Sequence, residues 1–177
     1  KESEYVLLQY EVPQKTVYYV IEKCAELGVK TIFNLAPAGE FDRQHISMLH
    51  TLVVNEVEAE FLAEKPVKSI EDIKLAAEIL QEMGAENVII TLGAEGSYVA
   101  SGNYHEKIPS FQVNALDTTA AGDIYCGSLA VAMTEGQPLH KAVGFASAAS
   151  AIAVTRMGAQ PSAPPRAEID TLLNKSD

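Results

Sequence analysis

The sequence predicts an α/β fold with a mostly parallel sheet covered by helices on both faces. Two observations carry that expectation. Short apolar runs of strand type alternate with segments of helical period along most of the 177 residues. Glycines or capping residues stand at the junctions. Tyr5 to Gln9 is the first apolar run, after which Val17, Val20, Ile21, Cys24 and Leu27 recur at helical spacing and Gly28 closes the helix. Val29 to Leu35 and Thr51 to Val54 read as the second and third strands, and Asn55 begins a short helix through Leu62. Ser69 caps the next helix, with Glu71 and Asp72 in its first turn, Ile73, Ala76, Ala77 and Leu80 on its buried face, and Gly84 at its end. Asn87 to Leu92 is a Val/Ile-rich strand, Ser97 to Ala100 follows a glycine turn, and Ser101-Gly102-Asn103 leads into Tyr104 to Ile108. Helices Thr119 to Thr134 and Leu139 to Val154 precede a last one after Pro164-Pro165. Ligands of such a sheet lie beyond the carboxyl ends of the strands. No repeat or linker divides the chain, which reads as one domain or most of one.

Composition narrows the function classes. Acidic residues outnumber basic ones by 24 to 13, for a formal charge of −11. No Lys/Arg block offers a footprint for a phosphate backbone, so nucleic acid and anionic membrane are excluded as expected partners. The longest apolar stretch, Ala142 to Thr155, is about 14 residues and too short to span a bilayer. Cys24 and Cys126 lie on apolar helix faces without metal-ligand spacing, as buried thiols in a reducing cytoplasm would. The chain opens at Lys1 without a methionine or a signal peptide and enters a strand almost at once, which is expected of a piece cut from a longer parent.

The most informative segment is Asp117-Thr118-Thr119-Ala120-Ala121-Gly122-Asp123. Thr118 and Thr119 are natural N-terminal residues for the helix that follows, and Ala-Ala-Gly leaves backbone N–H groups unobstructed. A helix start of this kind attracts phosphate through its orphan donors and its dipole. Asp123, one turn inside, is positioned to take a proton from a hydroxyl attacking that phosphate. A capped helix with a dipole-complementing aspartate is the structural alternative.

The two commonest phosphate loops, G-x-x-x-x-G-K-[ST] and G-x-G-x-x-G, are absent. Thr91-Leu92-Gly93-Ala94-Glu95-Gly96 follows a buried strand, and its glycines permit either close backbone approach to a ligand or a strand-to-strand turn. Asn55-Glu56-Val57-Glu58, at a strand's carboxyl end, offers oxygens to a hydrated Mg²⁺ or forms a capping box. The small residues from Ala142 to Ala153 suit close helix packing or leave room for a flat purine. His45, His50, His105 and His140 follow no ligand spacing and read as surface or loop residues. Lys175-Ser176-Asp177 reads as a solvated end.

These residues resemble the phosphofructokinase-B group of sugar kinases, and within it the C-terminal portion of the ribokinase branch, over nearly the whole chain. Asp117 to Asp123 is similar to the group's second signature, in which many members have Gly-Ala-Gly-Asp where this chain has Ala120-Ala121-Gly122-Asp123. Asn34-Leu35-Ala36-Pro37 stands where the group has Asn-Pro-Ala-Pro. Asn55 to Glu60, Thr91-Leu92-Gly93 and Val154 to Ser162 also match the branch.

The resemblance implies a ribokinase-like three-layer α/β/α sandwich, with residues 1–177 as its nucleotide-binding and catalytic portion and the N-terminal part and lid missing. It implies transfer of the γ-phosphoryl group of ATP to the 5-hydroxyl of D-ribose, with Asp123 as base and the N–H groups of Ala120, Ala121, Gly122 and Asp123 as anion hole. Asn55 and the loop of Thr91, Leu92, Gly93, Ala94, Glu95 and Gly96 would contact ATP, with Ser147 near the adenine. Glu58 would hold a hydrated Mg²⁺. Asp117 and Thr119, with Ala153, Arg156, Gly158 and Ser162, resemble the branch's K⁺ site, and Glu11 its sugar-contacting glutamate. The parent is expected to be a cytoplasmic homodimer, and this chain alone inactive. Another pentose or nucleoside kinase, or a truncated nucleotide-binding module without catalysis, are the alternatives.

Overall fold

The computed structural model describes residues 3–175, so Ser176 and Asp177 of the expected solvated end lie outside it. The chain divides into two compact units, Lys1–Leu92 with Tyr98–Lys107, and Gly93–Ser97 with Ile108–Asp177. Six strands form one sheet: β1 (Tyr5–Gln9), β2 (Lys30–Asn34), β3 (Thr51–Asn55), β4 (Asn87–Thr91), β5 (Ser97–Ser101) and β6 (Tyr104–Ile108). Their order across the sheet is their order in the chain. The first four are parallel, with Tyr5 opposite Lys30, Phe33 opposite Leu52 and Thr51 opposite Asn87.

The first unit adds three helices, α1 (Gln14–Leu27), α2 (Glu56–Ala63) and α3 (Ile70–Glu82). Its core joins Phe33, Leu52, Val54, Val88 and Ile90 of the strands to Val17, Ile21, Leu62, Ala76 and Leu80 of the helices. Each large apolar side chain here contributes about 1.5–3 kcal/mol on burial. Ile32, Val53 and Ile89, which alternate with them, are also no more than 1% exposed. That two-sided burial explains why β2 to β4 read as continuous apolar runs rather than alternating ones.

Local chemistry sets the helix ends. Gly28, in the left-handed conformation at φ 67°, terminates α1 and donates to the carbonyl of Ala25. Leu27, expected on the buried face, is 61% exposed, because the core-facing stripe of α1 ends at Cys24. Ser69 and Asp72 form a reciprocal capping box at the start of α3.

Two features of this unit escaped the sequence reading. A 3₁₀ turn at Arg43–Met48 is started by Asp42, whose carboxylate accepts from the Gln44 N–H. That segment has no apolar period to betray it. His45, expected at the surface, is buried at 4% exposure, stacked on Tyr18 with centroids 4.3 Å apart and with Nε2 3.1 Å from the Glu22 carboxylate. An aromatic neighbour and an acid accommodate a buried imidazole here, and neither is adjacent in sequence.

The second unit is helical: α4 (Ala121–Thr134), α5 (Leu139–Ala153) and α6 (Arg166–Asn174). Ala142, Ala146, Ala149 and Ala153 of α5 are all buried, so its small residues do serve close packing. Arg166 ties α6 down by a bidentate pair with Glu135 and by lying 4.7 Å over the Phe145 ring. Cys24 and Cys126 are buried free thiols, as expected. No helix among the described residues is long and apolar enough to cross a membrane.

Candidate functional site

The segment Asp117 to Asp123 forms a braced loop leading into α4. The helix starts two residues later than expected, and neither threonine caps it. Ala120 is the N-cap residue, in the left-handed region at φ 60° and ψ 12°, and no side chain caps the helix. That conformation costs an L-residue other than glycine about 1–2 kcal/mol. Surrounding bonds hold it: the Ala121 N–H donates to the Thr118 carbonyl at 3.2 Å, and the Leu116 and Asp117 N–H groups both reach the Val154 carbonyl. Asp117 accepts from the Thr119 N–H and the Gly158 N–H, each at 2.9 Å. The Thr119 hydroxyl and these N–H groups hold the Asp117 carboxyl below its ordinary pKa of 3.8.

A helix start without a side-chain cap leaves backbone N–H groups to seek other partners. Of the four expected donors, the Ala121 N–H is occupied by Thr118. The Gly122 N–H makes no hydrogen bond to a described residue. Asp123, the third residue of α4, is exposed beside it.

A cavity of about 270 Å³ opens next to this start. Gly93 and Ala94 line it from the glycine loop, Thr118 and Ala121 from the cradle, and Ser150, Ala151 and Val154 from α5. Gly93 to Glu95 is a single 3₁₀ turn. Gly96 is required where it stands: its φ is 102°, and a Cβ there would lie 2.0 Å from the Ile108 carbonyl oxygen. Ser147 does not line the cavity. It is 4% exposed, on the stretch of α5 near the buried Tyr125, whose hydroxyl is 2.9 Å from Ser97 Oγ. Ser150, one turn along, lines the cavity and donates to the Ala121 carbonyl at 3.1 Å. The sequence reading passed over Ser150 because a serine among alanines carries no pattern of its own.

The remaining expected cation ligands sit in the same unit. The Arg156 N–H donates to the Ala153 carbonyl at 3.0 Å, and Ser162, fully buried, donates to Ala159. The structure therefore joins Asp117, Thr119 and Gly158 directly and pairs Ala153 with Arg156.

Asn55, Glu58, Thr91, Leu92 and Glu11 belong to the first unit. Asn55 and Glu58 form the capping box in full: Asn55 Oδ1 accepts from the Glu58 N–H, and the Asn55 N–H and Nδ2 donate to the two Glu58 oxygens at 2.8 and 2.9 Å. Burial raises the Glu58 pKa above 4.5 despite these bonds. Each oxygen keeps a lone pair, which suits contact with a metal through water. Among the described residues no group of three or more His, Cys, Asp or Glu can cage a metal. Thr91 Oγ1 donates to the Val54 carbonyl, Leu92 is buried, and Glu11 is exposed just after β1.

The first unit thus has a parallel sheet with Asn55 and Thr91 at strand carboxyl ends, and the second a helix start without a side-chain cap. The chain belongs to the pfkB family of carbohydrate kinases, whose pattern matches residues 3–166. It is 37% identical to the ribokinase of Haemophilus influenzae, over 94% of this chain and 55% of that protein. The structure of Thermotoga maritima ribokinase superposes with a TM-score of 0.87 at 40% identity, covering 98% of this chain and 57% of that one. Arabidopsis thaliana ribokinase complexed with ribose and ATP gives 0.91 at 29% identity, covering 96% and 55%. The chain thus spans about half the length of the relatives it matches. The α/β fold read from the sequence, of ribokinase type, is the one observed.

Proposed function

We propose that this chain is the nucleotide-binding and catalytic portion of an ATP-dependent sugar kinase, and that the sugar is ribose, phosphorylated on its 5-hydroxyl. The observation that carries the reading is the uncapped start of α4, with the Gly122 N–H unpaired among the described residues and Asp123 beside it, next to a cavity lined by the Gly93–Ala94 turn. In this reading the nucleoside occupies the cavity and the γ-phosphoryl group meets the cradle. Asp123 takes the proton of the attacking hydroxyl while the backbone donors stabilise the charge that develops on the phosphoryl oxygens.

Glu58 would hold a hydrated Mg²⁺ through water, and the ion would neutralise phosphate charge. Asp117, Thr119, Ser162 and the carbonyls of Ala153, Arg156 and Gly158 would hold K⁺, whose oxygen-ligand chemistry fits that donor set. Asp117 also braces the cradle by its own bonds, so its role does not depend on the ion. Glu11 would contact the sugar. The ribose- and ATP-bound relative supports the choice of substrates. The test is Asp123→Asn in the full-length protein, which is expected to fold normally and to lose on the order of 10²–10⁴ in kcat. Near-normal turnover would end the assignment, and comparing ribose with other pentoses decides the sugar.

A further inference from the structure

We propose that Ser150 is a positioning residue that couples occupancy of the cavity to the geometry of the cradle, a role that rests on the nucleotide reading above. Ser150 lines the cavity, and its hydroxyl donates to the main-chain oxygen of Ala121 at 3.1 Å. Ala121 lines the same cavity, is the first residue of α4, and directly follows the left-handed Ala120. A torsion that alanine disfavours is kept only while its neighbours are held. Thr118 holds the Ala121 N–H and Asp117 holds the Thr119 N–H, both from within the loop itself. Thr118 lines the cavity from the loop, whereas Ser150 lines it and holds Ala121 from a different element, α5.

The other α5 serine near α4 makes the contrast. Ser147 is buried near the equally buried Tyr125 and does not line the cavity, so it is out of a cavity ligand's reach. A nucleoside packed against Ser150 restrains the side chain that fixes Ala121, and the donor Gly122 is the next residue along. Filling the cavity therefore sharpens the cradle before the phosphoryl group moves.

Kinetics and calorimetry on the full-length protein test this. Ser150→Ala keeps the cavity wall but removes the bond. Its kcat is expected to fall about fivefold, the size of one net hydrogen bond, with KM for the sugar unchanged. ADP should bind as before, while ADP with aluminium fluoride, a mimic of the transferring phosphoryl group, should bind about fivefold more weakly. Adding Ala120→Gly should restore most of the lost kcat, because glycine adopts the left-handed torsion without strain. An unchanged kcat, a loss confined to ADP affinity, or a failure of glycine to rescue would each overturn the coupling while leaving the nucleotide reading in place. Absence of ADP binding by the unmutated protein would overturn both.

Discussion

Gly96 and Gly28 both have positive φ, yet their surroundings separate them. At Gly28 the torsion is 67° and a Cβ would meet nothing within 4 Å, whereas at Gly96 it would run into the Ile108 carbonyl, with the backbone of Pro109 and Ser110 close behind. Gly28→Ala is expected to cost about 1 kcal/mol, the strain of a left-handed alanine. Gly96→Ala is expected to cost more than about 3 kcal/mol, because backbone must move as well. Denaturant unfolding of the two variants measures the difference, and equal losses would mean that the packing around Gly96 is looser than described. The same contrast governs what was legible at the site. Asp117 to Asp123 stood out because two acids, two threonines and three small residues have few reasons to stand together at a helix start. His45 and Ser150 could not, since what gives each its place is a partner distant in sequence: Tyr18 and Glu22 for one, Ala121 for the other.

The two capping boxes look alike in sequence and differ in their burial. Ser69 is exposed and Asp72 half-buried, so Ser69→Ala is expected to cost about 1 kcal/mol. Asn55 instead donates through its N–H and its side-chain amide to a Glu58 carboxylate that is 3% exposed. Asn55→Ala removes the cap and one partner of a buried charge together, for an expected loss of about 2–3 kcal/mol. The pH dependence follows from the direction of the Glu58 shift. A carboxyl with its folded pKa raised above 4.5 makes its full contribution to stability below that value, and loses it as pH rises through the folded pKa. Removing the Asn55 side chain removes a bond that favours the ionised form, so the gap between variant and wild type should be wider at about pH 7 than at about pH 4. A gap independent of pH would mean that Glu58 is not the group responsible. Strands and helices were themselves legible within a residue or two wherever apolar period and caps coincided. The start of α4 was misplaced because its cap is a backbone torsion, which leaves no side-chain signature.

At the scale of the molecule, the chain matches about half of each relative, and its sugar-contacting residue is Glu11 alone in the proposed site. One carboxylate does not orient a polyol to within the distance that in-line attack requires, and an open site favours water as acceptor. The 177-residue chain by itself is therefore expected to bind ATP weakly and to form no ribose 5-phosphate, as calorimetry and a coupled ADP-release assay would measure. Ribose-dependent turnover by the isolated chain would refute this. The strand order has a consequence of another kind. Because spatial order equals chain order, each of β2 to β6 pairs with the strand just before it in the chain, as Tyr5 with Lys30, Phe33 with Leu52 and Thr51 with Asn87. Such a sheet can grow by addition at one edge, and no connection skips over a strand. It can assemble as the polypeptide leaves the ribosome, strand by strand, without holding an unmatched β segment in reserve for a distant partner.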